Sequence, residues 1–309
     1  MFPHRKILYP CLFLLFFFIS ASFSQVDHHQ YNAIENLQPV QQDKFSFAIL
    51  GDRTGSSPDS WNIIDRAIFE MNQLHPDFVI MVGDLIEDNT ADANIIEEKW
   101  NIAKHHMDSL QIPFFLVPGN HDIWNKISYI TWEKIMGDTY FSFNYKNCHF
   151  LILNTEEFHG TGEEGFGTQQ MAFIMEDIKT HLHVEQFFIF LHQPVWLYSE
   201  AIKTDWEKIE FLLKDIPNSV FAGHLHVLAS KYFNGHQYVI VGPTGGEMRL
   251  PRNPEMGLFH HYTWITVKGQ DSYVGFIEPG RIYSEDSALK AYPIYLQGLY
   301  LIKGMIPEL

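Results

Sequence analysis

The sequence predicts an α/β fold built around a parallel sheet, and three observations carry that prediction. From residue 45 onward, short apolar runs alternate with segments whose apolar residues recur at helical spacing. The first three apolar runs are separated by two such segments, which implies strand–helix–strand–helix–strand order with right-handed crossovers. With 309 residues, of which 46% are hydrophobic and 15% aromatic, the chain is long and apolar enough to bury one large core.

Taken in order, the first 24 residues read as a secretory signal peptide. Arg5 and Lys6 precede an apolar run from Ile7 to Ile19, and Ser20, Ala21, Ser22 and Ser24 follow, with cleavage after Ser24. An uncleaved anchor is the alternative, but the run is short against the roughly 20 residues of a bilayer-spanning helix. Residues 25–44 are polar and lack periodicity, a flexible lead-in in which His28 and His29 belong to a solvated tail. Phe45 to Leu50 reads as a buried strand ending at Gly51-Asp52. Ser60 to Leu74 has apolar residues at helical spacing, with Asp59 or Ser60 as its cap. Phe78 to Val82 is a second strand, ending at Gly83-Asp84. A helical stretch runs to about Leu110 and stops before Pro113. Phe114 to Val117 is a third strand, ending at Pro118-Gly119-Asn120-His121-Asp122.

In the second half, Tyr140 to Tyr145 and Cys148 to Leu153 form a hairpin pair. Gln169 to Leu182 is a helix opened by Thr168, and Phe187 to Leu191 is a strand ending at His192. Asp205 to Leu213 is helical. Val220 to Ala222 leads into Gly223-His224-Leu225-His226. Strands follow near Tyr238 to Val241, Tyr262 to Val267 and Tyr273 to Ile277. The domain is expected to span 45–280, leaving 281–309 as an extension of unassigned structure.

Charge and cysteine usage narrow the function classes. There are 21 Lys plus Arg against 37 Asp plus Glu, a formal net charge of −16. Loss of Arg5 and Lys6 with the signal takes that to −18. Such a balance argues against binding nucleic acid or anionic lipid through bulk charge. A phosphorylated substrate stays compatible with it, because bound metal ions reverse the local field. Of the 2 cysteines only Cys148 survives signal removal, which excludes an intrachain disulfide and a cysteine-based metal cluster. Cys148 lies in an apolar run and reads as core. The mature chain is expected to be periplasmic or secreted, without stable membrane insertion.

The chemistry concentrates at strand ends. Five strands each end in a segment with metal-ligand side chains: Asp52; Asp84; Asn120-His121-Asp122; His192; and His224 with His226. In open α/β sheets ligands bind at the carboxyl ends of strands, so these residues should meet at one edge. Oxygen and imidazole donors without thiolate suit Mn, Fe or Zn better than a structural cysteine site. Gly51, Gly83, Gly119 and Gly223 each precede a candidate ligand and leave room for a sharp turn and close approach.

The ordered set GD…GD…GNHD…H…GHLH, over about residues 45–230, resembles the calcineurin-like metallophosphoesterase superfamily. The resemblance implies a four-layer α-β-β-α sandwich of two mixed sheets flanked by helices, with two divalent metal ions at the strand C-terminal ends. By motif, Asp84 would bridge both ions, Asp52 and His226 would hold the first, and Asn120, His192 and His224 the second. A hydroxide shared by the metals would attack phosphorus of a monoester or diester. His121 would protonate the leaving oxygen or steady the transition state, and Asp122 would fix the tautomer of the His121 ring. One position departs from the family pattern. The first motif, usually Asp-x-His, reads Asp52-Arg53-Thr54, which puts the first metal's affinity in question and leaves Thr54 to act through water. Arg53 is read in two ways, as a bidentate phosphate clamp or as a salt-bridge partner for a local carboxylate.

The remaining histidines and aromatics have less specific readings. His105 and His106 read as packing residues of a helix, His181 and His183 as a helix end, and Trp196 and Tyr198 as core or a stacking platform. His159 sits in a glycine-rich loop. Gly245 to Arg249 borders the expected site without an assigned role, and His260 and His261 have none. The competing function is a binding protein of the same fold that holds metal but has impaired catalysis, with Thr54 as the feature that favours it.

Overall fold

The computed structural model describes residues 44–284, apart from 56, 58, 88, 158–165, 198–204, 234 and 280. The expected signal peptide, nearly all of the lead-in, His159, Tyr198 and the segment from 285 lie outside the described residues.

Twelve strands form two six-stranded sheets, in the orders β12-β11-β10-β1-β2-β3 and β4-β5-β6-β7-β9-β8. In the first sheet, β1 (Lys44–Leu50), β2 (Phe78–Met81) and β3 (Phe114–Leu116) are parallel, as the strand–helix alternation predicts. β10 (Tyr262–Lys268), β11 (Asp271–Glu278) and β12 (Arg281–Ser284) extend it antiparallel. The pairing of β12 continues this sheet four residues past position 280. In the second sheet, β5 (Cys148–Ile152), β6 (Gln186–Phe190), β7 (Asn218–Ala222) and β9 (His236–Ile240) are parallel. The antiparallel strands β4 (Phe141–Tyr145) and β8 (Ala229–Phe233) close its two edges.

Strand periodicity of two builds the layers. In β1, Phe45, Phe47 and Ile49 point between the sheets, and so do Phe78 and Ile80 of β2, Phe150 and Ile152 of β5, and Phe188 and Phe190 of β6. The ring of Phe47 stacks on that of Phe78 with centroids 5.2 Å apart, and Phe143 stacks on Phe150 at 4.9 Å. The alternate residues Ala48, Leu50, Val79 and Met81 face outward against helices α1 (Ser60–Leu74), α2 (Ala93–Met107) and α3 (Lys126–Ile135). On the other side, Leu151, Phe187 and Ile189 pack under α4 (Thr168–Thr180) and α5 (Trp206–Leu213). The result is the four-layer α-β-β-α sandwich of two mixed sheets.

Several local expectations change. Asp59 occupies the cap position of α1 but makes no capping bond with its side chain, and α2 ends at Met107 rather than near Leu110. Gly167, not Thr168, stands at the cap of α4. The sequence reading assigned neither α3 nor β8. Helix α3 is specified by its start: Asn125 Oδ1 accepts from the amides of Ile127 and Ser128, and Ser128 Oγ accepts from the Asn125 amide, a capping box. Among the described residues no helix is long and apolar enough to cross a membrane.

Candidate metal centre

All five motif segments meet where the C-terminal ends of the two sheets' parallel strands converge. Asp52, Asp84 and Asn120 come from the first sheet, and His192, His224 and His226 from the second. Three non-glycine residues here hold left-handed backbone: Asp84 (φ 60°), His224 (φ 70°) and His226 (φ 53°). Such strain persists where surrounding contacts over-determine it, and it clusters at functional sites. Gly83 has φ 98°, and a Cβ there would lie 2.6 Å from His192 Nδ1. A Cβ on Gly119 would lie 2.3 Å from Asp84 Oδ1. The glycine signal in the sequence therefore reflects contact between the strand-end backbones and the ligand side chains.

The donor atoms converge. His192 Nε2 lies 3.0 Å from Asn120 Oδ1, 3.4 Å from Asp84 Oδ1 and 3.3 Å from His224 Nδ1. Asn120 Oδ1 is 2.9 Å from His224 Nδ1. His192 Nδ1 donates to Val82 O at 2.8 Å, which turns its Nε2 toward these oxygens and the His224 ring. Asp52, Asp84 and His226 each place a donor atom within 4.8 Å of the others. His226 Nδ1 is anchored by Glu247 O at 2.5 Å, and Asp52 accepts the His224 amide on both carboxylate oxygens at 3.0 Å. Asp52 and His192 are fully buried, so the charge of this cluster must be balanced from within it. Two carboxylates, an amide oxygen and three imidazoles fit divalent ions of the Mn, Fe or Zn type.

The titration shifts have the same origin. Burial pushes Asp84 up to about 6, partly offset by His192. Burial pulls His192 down, but Asp84 and Asp52 outweigh it and hold the ring up at about 9. Burial, then the charge on His192, carries His224 down to about 4. A proton on His192 thus takes the place between the carboxylates that a metal ion would compete for.

The remaining expected residues have distinct surroundings. Thr54 Oγ1 donates to Asp84 Oδ2 at 3.1 Å, so this hydroxyl holds the carboxylate directly. Arg53 Nε donates to Leu85 O at 2.5 Å and its Nη1 to Ser60 Oγ at 3.2 Å, while the guanidinium lies 4.4 Å over the Trp61 ring. Its hydrogen-bond partners are a carbonyl and a hydroxyl rather than the carboxylate of the salt-bridge reading. His121 is half-buried, its amide donates to Asp84 Oδ1 at 2.9 Å, and its Nδ1 is buried without a hydrogen-bond partner. That corrects the expected Asp122–His121 ring contact. Asp122 is fully buried and accepts four backbone amides, from Asp84 (2.7 Å), Gly119 (2.9 Å), Leu85 and Ile86 (both 3.0 Å). It ties the two strand-end loops together and leaves the imidazole to other contacts. Burial, then the charge on Asp84, pushes Asp122 up to about 7.

Sequence reasoning missed Glu156, which is 2% exposed and whose carboxylate accepts both bonds from Gln193 Nε2 at 3.0 Å. Its charge acts on Asp84, His192 and His224. It lies four residues past the end of β5, as Asp52 lies two past the end of β1, so a wider strand-end rule could have found it. Gly245 to Arg249 does border the site. A cavity of about 500 Å³ is lined by Gly55, Gly246, Met248, Arg249 and His260 beside the anchor of His226. Trp196 instead packs on Tyr238, and His106 pairs with Asp65 and stacks on Trp61.

A sequence profile of the family described as calcineurin-like phosphoesterase matches residues 27–228. The serine/threonine-protein phosphatase CPPED1 of Homo sapiens is 27% identical over 200 residues, which cover 60% of this chain and 63% of the human protein. The Mus musculus protein is 24% identical over 213 residues, 62% and 68% of the two chains. This chain therefore spans less than two thirds of the human relative's length. Among solved structures, a dimetal phosphatase from Danio rerio superposes with a TM-score of 0.61 at 14% identity, covering 77% of this chain and 98% of that one. GAP50, the anchor in the inner membrane complex of Plasmodium, superposes with a TM-score of 0.56 at 14% identity, covering 78% and 88%. At these identities the superpositions speak for the fold alone.

Proposed function

The chain belongs to the calcineurin-like phosphoesterase family, and from that premise we propose that it is an exported, binuclear metal-dependent hydrolase of small phosphoesters. The observation that carries the reading is the convergence of Asp84 Oδ1, Asn120 Oδ1, His192 Nε2 and His224 Nδ1 beside the Asp52–Asp84–His226 group. In this reading Asp52 and His226 would hold one ion and Asn120, His192 and His224 the other, with Asp84 as a ligand they would share. Bound ions supply Lewis acidity to the phosphoryl oxygens and an activated water.

The chain's own residues do the rest. His192 is oriented by Val82 O and His226 by Glu247 O, which fixes the nitrogen each presents. The half-buried His121, whose amide is tied to Asp84 Oδ1, is the residue that would protonate the leaving oxygen or steady the transition state. Asp122 keeps the loops carrying Asp84 and His121 in register through its four amide bonds. Arg53, fixed by Leu85 O and Trp61, presents a pre-oriented positive charge near Asp84 for the phosphate. The cavity beside Met248 and Arg249 has room for the organic part of a small phosphorylated molecule.

With Mn²⁺ present, the protein is expected to hydrolyse an aryl phosphomonoester or phosphodiester, with the ratio of the two rates defining its class. His121→Ala should lower kcat by about 10²–10⁴-fold while leaving metal content intact. No turnover with any divalent ion, despite a folded protein, would favour the second reading, a metal-holding binding protein. That reading draws on Thr54 and on the fold shared with the Plasmodium anchor. Export rests on Arg5, Lys6 and the apolar run that follows. N-terminal sequencing of protein recovered outside the cytoplasm should begin at Gln25, and recovery only from the cytoplasm, starting at Met1, would refute it.

A further inference from the structure

Strand periodicity turns His149 away from the inter-sheet core. Its neighbours Cys148 and Phe150 face that core, while His149 points with Leu151 toward helix α4. It lies at the N-terminal end of β5, so the strand separates it from the metal centre by about 15 Å. There it meets Asp177 and His181, one helical turn apart.

The donor geometry is specific. His149 Nε2 lies 2.6 Å from Asp177 Oδ2, and His149 Nδ1 lies 2.7 Å from Asn144 Oδ1. Asn144 Nδ2 donates to His181 Nε2 at 3.3 Å, so its Oδ1 is the atom that accepts from His149. His149 Nδ1 is therefore a donor, and Nε2 faces a carboxylate. His181 Nδ1 lies 3.4 Å from Asp177 Oδ1. The two imidazole rings stack with centroids 3.8 Å apart. Ser142 Oγ donates to Asp177 Oδ1 at 2.8 Å and holds the carboxylate between them. The side chains of His149, Asp177 and His181 are 0%, 8% and 18% exposed.

A proton on His149 would satisfy its contact with Asp177 but gives no reason for a second imidazole stacked on the first, where the two rings would share positive charge poorly. A divalent ion uses all three groups, whose ligand atoms all lie within 4.8 Å of one another. We propose that His149, Asp177 and His181 form a separate binding site for a divalent transition-metal ion of the Zn²⁺ or Co²⁺ class, which pins helix α4 to the β4–β5 hairpin. Two imidazoles and one carboxylate suit these ions, with solvent filling the remaining position on the exposed side of His181. Asn144 has the role of the partner that fixes a ligand tautomer. Binding through His181 Nδ1 replaces its bond to Asp177 O (2.8 Å): the ring's proton moves to Nε2, which gives up its contact with Asn144 Nδ2, and the proton held between His149 Nε2 and Asp177 leaves to solvent. The site does not depend on the phosphoesterase reading.

The test is a Co²⁺ titration of the metal-stripped full chain, with ions counted by native mass spectrometry and followed by d–d absorbance. His181→Ala, at the least buried ligand, should bind one ion fewer than the wild type while keeping its circular dichroism spectrum. Asn144→Ala should weaken that ion by about 10–100-fold. A folded Asp52→Asn/Asp84→Asn protein should retain one ion and lose it when His181→Ala is added. Equal ion counts and affinities in wild type and His181→Ala overturn the proposal, as does a folded Asp52→Asn/Asp84→Asn protein that holds no Co²⁺.

Discussion

At the scale of single residues, chemistry depends on which atom is already committed. The sequence put Asp122 next to His121 and invited a pairing, but four backbone amides use the carboxylate and leave His121 Nδ1 alone. Short-range order in sequence does not say where a side chain points. His261 shows the same limit and leads to a prediction. It is fully buried, its Nδ1 lies 3.1 Å from Phe259 O, and its Nε2 has no hydrogen-bond partner. Burial lowers its pKa to about 4. The folded pKa thus lies below the unfolded value near 6.5, so between those values the unfolded chain binds more protons. The neutral ring's contribution is complete above about pH 6.5 and is lost as pH falls toward 4, an effect of about 3 kcal/mol. Denaturant titrations at several pH values should show His261→Phe losing less stability than wild type across that window. Parallel curves for the two proteins would refute this.

At the scale of elements, the helices and strands with strong periodicity were readable, and those defined by caps or edges were not. The pattern Ile64, Ala67, Ile68, Met71 marks α1 and buries its face as expected. Helix α3 is shorter, has only three buried residues and depends on its cap. Asn125 supplies two acceptor contacts to the first turn and donates to Thr90 O at 2.8 Å. Urea denaturation of Asn125→Ala should show a loss of about 1–2 kcal/mol, with the larger value reflecting the lost Thr90 bond. A loss under about 0.3 kcal/mol would mean that tertiary packing alone holds α3. Edge strand β8 escaped notice because a half-exposed edge carries little hydrophobic pattern.

At the scale of the whole molecule, the centre joins the two sheets: three candidate ligands end strands of one sheet and three follow strands of the other. Ions bound there would cross-link the layers, so their loss should be felt by the whole domain. Saturating Mn²⁺, at about a hundred times its Kd, should stabilise the protein by about 2.7 kcal/mol and raise Tm by about 5–10 °C. Asp84→Asn should lose most of that rise, and a full rise in this variant would exclude Asp84 as the shared ligand. The sequence by itself determined the fold class and the family, because strand-end glycines and ligand types recur in a fixed order that local pattern preserves. It also held the six candidate ligands that converge. Only the tertiary structure decided which nitrogen each histidine presents, that Thr54 holds Asp84, that Glu156 charges the site, and that His149 meets Asp177 and His181. Those outcomes depend on contacts between sheets and helices distant in sequence, and no local periodicity records them.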